Sequence, residues 1–95
     1  MSDRPLLRLI VYDIADRRRR RKVAGALEDI AARVQESVFE TRLSAAQLKR
    51  LRKRLSALIS EPDSLRIYTI PDAALPRCYV QGGPMIADGA RFYLF

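Results

Sequence analysis

Large apolar residues are spaced along this chain in ways that separate strands from helices. From Leu6 to Ile14 the run LLRLIVYDI is almost continuous in apolar, β-branched and aromatic residues. That is the pattern of a strand covered on both faces and central in its sheet. Asp16 then stands where a helix N-cap belongs, and Val23, Leu27 and Ile30 recur at the spacing of one helical face, predicting a first helix that runs to about Ala32. The segment RVQESVFETRL, Arg33 to Leu43, alternates large and polar residues but is too long for one ordinary strand. Two short strands around a tight bend near Glu36 and Ser37 are expected. Ser44 followed by Gln47 is a capping-box pattern, and Leu48, Leu51, Leu55, Leu58 and Ile59 form a stripe behind it, predicting a second helix. It stops before the turn signal Glu61-Pro62-Asp63, after which LRIYTI, Leu65 to Ile70, is again a strand.

The order strand, helix, strand, strand, helix, strand is the split βαβ arrangement, so the fold class is α+β: a ferredoxin-like βαββαβ sandwich with both helices on one face of an open sheet. Beyond Pro71, prolines and glycines punctuate two apolar pieces, Cys78 to Val80 and Phe92 to Phe95, which are expected to be accessory strands. The terminal FYLF is expected to pair along a sheet edge, its own or another subunit's. Ninety-five residues exclude a second domain and bury so small a share of their surface that a homodimer would help. The domain spans 1–95, with a core at about 6–70 and an extension at 71–95 expected to pack on the partner. No apolar run is long enough to cross a membrane, and the start turns charged too early for a signal peptide. A cytoplasmic location with no membrane partner is expected.

Charge narrows the choice of ligand. Eighteen Lys and Arg face eleven Asp and Glu, a net +7, and fifteen of those cations are arginine. Arginine's planar fork grips phosphate oxygens in two places, so the bias points to a polyanion. Codon usage in a GC-rich genome is the competing explanation. The densest run is Arg17, Arg18, Arg19, Arg20, Arg21 and Lys22. Successive residues circle a helix, so they cannot share one task; Arg19 and Arg20 project nearest the apolar face and are expected to flank Asp13, while Arg17, Arg18 and Arg21 point outward. These cations also oppose the helix macrodipole, a cost that an anionic ligand offsets. The second basic group, on the helix behind Ser44, reads as a solvated polar face.

Histidine is absent and Cys78 is the lone cysteine, which removes histidine-based nuclease chemistry, Ser/His and Cys/His triads and zinc motifs together. Asp13 is the sharpest remaining candidate. A carboxylate closing an apolar strand must leave the core, and with Asp16 as the cap Asp13 has no capping role. One or two carboxylates with waters and substrate phosphate suffice for Mg2+, or Mn2+ in its place. Two Asp13 side chains meeting across a twofold axis would supply a site that only the dimer possesses. A metal held there would do the work of a histidine base.

In this order and spacing LIVYDI, DRRRRRKV, RVQESVFE and DSLRIYTI resemble the Cas2 family, the small CRISPR-associated protein of the spacer-acquisition pair. The resemblance spans about Leu6 to Ile70. It implies a ferredoxin-like homodimer whose C-terminal strand packs on the partner, with Asp13 binding a divalent metal at the interface. It further implies a metal-dependent endonuclease acting on single-stranded RNA or double-stranded DNA, and a scaffold between dimers of the Cas1 integrase. Tyr12 and Asp13 match the family's Tyr-Asp; Arg19, Arg20 and Lys22 fall on its basic helix start; Arg33, Ser37 and Phe39 fall in its RVQ-x-SVF stretch. Tyr12 and Phe39 thereby join Asp13 as catalytic candidates, and Arg33 and Ser37 join the nucleic-acid contacts. Ala31 departs from the glycine that many members carry there, which leaves the helix stop open. A toxin-like ribonuclease of the same fold and a ferredoxin-like regulatory module are the rival readings.

Overall fold

The computed structural model describes residues 3–86. Four strands, β1 (Leu6–Asp13), β2 (Ala32–Gln35), β3 (Val38–Leu43) and β4 (Ser64–Ile70), form an antiparallel sheet in the order β2-β3-β1-β4. Helices α1 (Arg17–Glu28) and α2 (Ala45–Ser56) connect them in the expected βαββαβ order, with β1 central. Among the described residues no helix is long and apolar enough to cross a membrane.

The core lies between the helices and one face of the sheet. Ile10, Tyr12, Phe39 and Leu43 rise from the strands to meet Val23 and Leu27 of α1 and Leu51 and Leu55 of α2, all buried. Each large apolar side chain so covered contributes about 1.5–3 kcal/mol. The helices cover this face alone; on the other face Leu7 is also buried, at 1% exposed, so the expectation for β1 holds only at its Leu6 end. Its alternate residues Leu9 and Val11 lie half-buried on the open face, opposite Tyr68 and Arg66 of β4, and Tyr68 is 48% exposed. Arg8 is the exception within the covered layer. It is 6% exposed, and its guanidinium donates to the Leu43 carbonyl through Nε at 3.1 Å and Nη2 at 2.9 Å, and to Thr69 Oγ1 at 2.7 Å. Three strands are thus tied at the Leu6 end, at the cost of a desolvated cation whose pKa burial lowers.

Helix ends follow local chemistry. Asp16 caps α1 by accepting from the Arg19 N–H at 2.8 Å. Ser44 and Gln47 make the reciprocal capping box of α2, and the Asp3 carboxylate accepts from the Ala45 and Ala46 N–H groups at 2.7 and 3.2 Å. Helix α1 stops at Glu28, four residues short of the expected Ala32, which already belongs to β2. Ile30 and Ala31 remain buried in the turn, so apolar spacing outlasts helical geometry there; the Thr41 hydroxyl donates to the Ile30 carbonyl and fixes the exit. The bend at Glu36 and Ser37 is where the alternation placed it.

Past β4 the chain forms a 3-10 helix at Asp72–Arg77, and Cys78 to Val80 is not a strand. Tyr79 and Val80 are exposed, and the apolar spacing of this piece finds no sheet edge to join. The expected strand at Phe92 to Phe95 lies outside the described residues.

Candidate active site

One end of the sheet gathers the candidate residues. There β1 ends, α1 begins, β2 turns into β3, and the loop from α2 enters β4, with Asp13 opposite Ser64 and Val11 opposite Val38. Side chains alternate along a strand, so Tyr12 turns into the core and Asp13 out to the open face, where it is exposed. Among the described residues the Asp13 carboxylate takes no hydrogen-bond or ion-pair partner, and no group of three or more Asp, Glu, His or Cys forms a ready metal cage. Among the described residues, what the end of β1 offers a hard cation is the free Asp13 carboxylate. This donor suits Mg2+ or Mn2+, and it leaves most of the coordination sphere to water, phosphate oxygen or a second carboxylate.

On the covered side of the same end, Tyr12, Arg17, Arg20, Arg21, Ala24, Arg33 and Glu36 line a cleft of about 230 Å³. Four guanidinium groups against one carboxylate make it an anion-attracting recess. Arg20 is fixed by donating to the Ile14 and Ala15 carbonyls at 3.0 and 3.2 Å, which locks the backbone just past Asp13. Arg33 lies 5.1 Å above the centre of the Phe39 ring and 3.8 Å from Glu28, an exposed pair that adds little beside the cation–π contact. Phe39 stacks on Tyr12 with ring centres 6.3 Å apart, and the Tyr12 hydroxyl donates to the Glu36 carbonyl at 3.2 Å. Ser37 contributes its carbonyl, which accepts the Tyr12 N–H at 3.1 Å.

Tyr12 and Phe39 are buried. They form the platform under Arg33 and hold the β2–β3 turn. Arg19 pairs with a different carboxylate: its Nε and Nη2 meet the two Asp63 oxygens at 2.8 and 3.1 Å, joining the start of α1 to the loop before β4, next to Ser64, the register partner of Asp13. Arg18 and Lys22 are exposed. Two residues that sequence reading passed over shape this end: Glu36, in the cleft wall, and Asp63, which read only as a turn residue.

The family model for CRISPR associated protein Cas2 matches residues 6–77, the whole span from β1 through the 3-10 helix. The chain belongs to the Cas2 family. Among its relatives, the CRISPR-associated endoribonuclease Cas2 3 of Synechocystis is 46% identical over 79 residues, covering 82% of this chain and 86% of that protein. The CRISPR-associated endoribonuclease Cas2 of Mycobacterium tuberculosis is 38% identical over 85 residues, covering 90% and 75%. Two crystal structures superpose well: a hypothetical protein from Thermus thermophilus, with a TM-score of 0.75 at 38% identity over 85% of this chain and 96% of that one, and Streptococcus pyogenes Cas2, with 0.70 at 32% over 81% and 100%. Asp13, the Arg17–Lys22 run, Arg33, Ser37 and Phe39 all fall inside the span matched to the Cas2 family.

Proposed function

We propose that this Cas2-family chain is a metal-dependent endonuclease that hydrolyses phosphodiester bonds of single-stranded RNA or of double-stranded DNA, and that as a homodimer it scaffolds duplex DNA for the Cas1 integrase. The observation that carries the reading is the free Asp13 carboxylate at the same sheet end as a cleft walled by Arg17, Arg20, Arg21 and Arg33. Relatives named as endoribonucleases support the enzymatic half.

In this reading Asp13 holds the divalent cation, Mg2+ or Mn2+, and a second copy of Asp13 across a twofold axis completes the protein's share. The chemistry the cation supplies when bound is polarisation of a phosphoryl oxygen and acidification of an attacking water. That contribution matters because the chain has no histidine to act as a base. The arginines of the cleft bind phosphates along the polymer, and Arg33 is held in position by the Phe39 ring. Because cleft and carboxylate lie on opposite sides of the sheet, a bound strand passes around its end. The open face favours the dimer: Leu9, Val11 and Val38 are half-buried apolar residues with no helix over them, as an association surface requires.

The test compares wild type with Asp13→Ala on single-stranded RNA and on duplex DNA, each with Mg2+ and with a chelator. Cleavage that needs both Asp13 and metal is the expected result. Equal activity of the two proteins would overturn the enzymatic reading, and duplex affinity that does not fall with salt would overturn the scaffold.

A further inference from the structure

Helix α2 reads from sequence as an amphipathic helix with an ordinary solvated side. Its composition is unusual for that role. The twelve residues AAQLKRLRKRLS contain five cations and no acid. Lys49 and Lys53 stand one turn apart, as do Lys49 and Arg52, and like charges at those spacings repel by a few tenths of a kcal/mol per pair. A solvated helix usually interleaves acids to relieve this. The helix C-terminus favours Lys53 and Arg54, but not Lys49 or Arg52 further back. Among the described residues, no acidic side chain forms an ion pair with Lys49, Arg52, Lys53 or Arg54.

The fold adds a second observation. Helix α2 runs toward the Asp13 end, and the loop after it is clamped to the start of α1 by the Arg19–Asp63 pair. The last turn of α2, with Lys53 and Arg54, therefore comes to the sheet end from which the arginine run of α1 departs.

We infer that the outer side of α2 is a second phosphate-binding track, continuous with the start of α1, that takes the backbone of double-stranded DNA. This rests on the scaffold reading above and names a surface for it away from Asp13 and the arginine cleft. Length and chemistry select the duplex. Twelve residues of helix span about 18 Å, over which duplex DNA carries about ten charges. No aromatic residue lies on α2, so it lacks the stacking platform with which single-strand binders hold bases.

The test measures affinity of the full chain for a fluorescent 30-base-pair duplex across a salt series. Lys49→Gln with Lys53→Gln is compared with Arg4→Gln with Arg77→Gln, which removes equal charge elsewhere; glutamine keeps helix propensity close to that of lysine. The α2 pair is expected to weaken binding and to flatten the log Kd against log salt slope by about 0.9 per lost contact, beyond any change in the control pair. Equal behaviour of the two pairs would overturn the track while leaving the scaffold reading intact. A wild type that ignores duplex DNA would overturn both, and a loss confined to single-stranded RNA would overturn the choice of duplex.

Discussion

Arg19 holds Asp63 in a two-pronged grip, Nε to Oδ2 at 2.8 Å and Nη2 to Oδ1 at 3.1 Å, across 44 positions of sequence. The Asp63 side chain is 2% exposed, and the same carboxylate accepts the Ser60 N–H at 3.0 Å. The Arg19 hydrogen bond first, and the Ser60 bond after it, hold its pKa below the ordinary carboxylate range. A depressed carboxylate pKa stabilises the fold above the unfolded value of about 3.9, and that contribution is lost as pH falls through the folded value. Thermal unfolding of wild type and Asp63→Asn should therefore differ most near neutral pH and converge below about pH 4. A gap that stays constant down to pH 3 would show that the pair contributes nothing. Arg19→Lys should recover only part of the wild-type stability, because an ammonium cannot make the parallel pair of bonds.

The Ser44 capping box makes a simpler prediction. Ser44→Ala removes the side-chain acceptor of the Gln47 N–H and should cost about 1 kcal/mol, a fall in Tm of about 4–8 °C for a domain of this size. Circular dichroism melts measure it directly.

Phe39 is wholly buried and carries Arg33 on its ring. Phe39→Ala should destabilise the protein by about 3–5 kcal/mol, read by urea denaturation. Phe39→Leu keeps most of the apolar volume but removes the π face, worth about 0.5–1 kcal/mol at an exposed site. It should weaken RNA binding about two- to five-fold with the fold retained. Unchanged affinity in a folded Phe39→Leu would remove Arg33 from the binding surface.

Arg21 lines the cleft and makes no ion pair among the described residues. Arg21→Ala should weaken nucleic-acid binding to a similar extent across sequences and reduce the salt slope by about 1. Filter binding at several ionic strengths checks this, and a sequence-dependent loss would contradict a phosphate contact.

The parts of this fold that were legible in the sequence are those that local rules control. The Ser44–Gln47 box, the Asp16 cap and the bend at Glu36 were readable because each depends on residues a few positions apart. The stop of α1 was not, because Ile30 and Ala31 stay apolar and buried while the backbone has already left the helix, with no glycine or proline to mark the change. Nor was Arg8, a charge inside an apolar strand whose acceptors, Leu43 and Thr69, lie 35 and 61 residues away. At the site, alternation alone sent Asp13 outward. The grouping of Arg17, Arg20, Arg21 and Arg33 around Tyr12 needed the turn of β2 into β3, and the pairing of Arg19 needed Asp63 brought close by the sheet.

The distribution of partners for the charges makes the molecule electrically lopsided along its strands. At the Leu6 end, Asp72 sits 3.3 Å from both Arg4 and Arg42, and Asp3 lies on the start of α2, so charges there are largely matched among themselves. The opposite end commits Arg19 to Asp63 but leaves Arg17, Arg18 and Arg21 without an acidic partner among the described residues. Such an imbalance is a permanent dipole aligned with the sheet, and a long polyanion would swing the protein into a preferred attitude before the first contact forms.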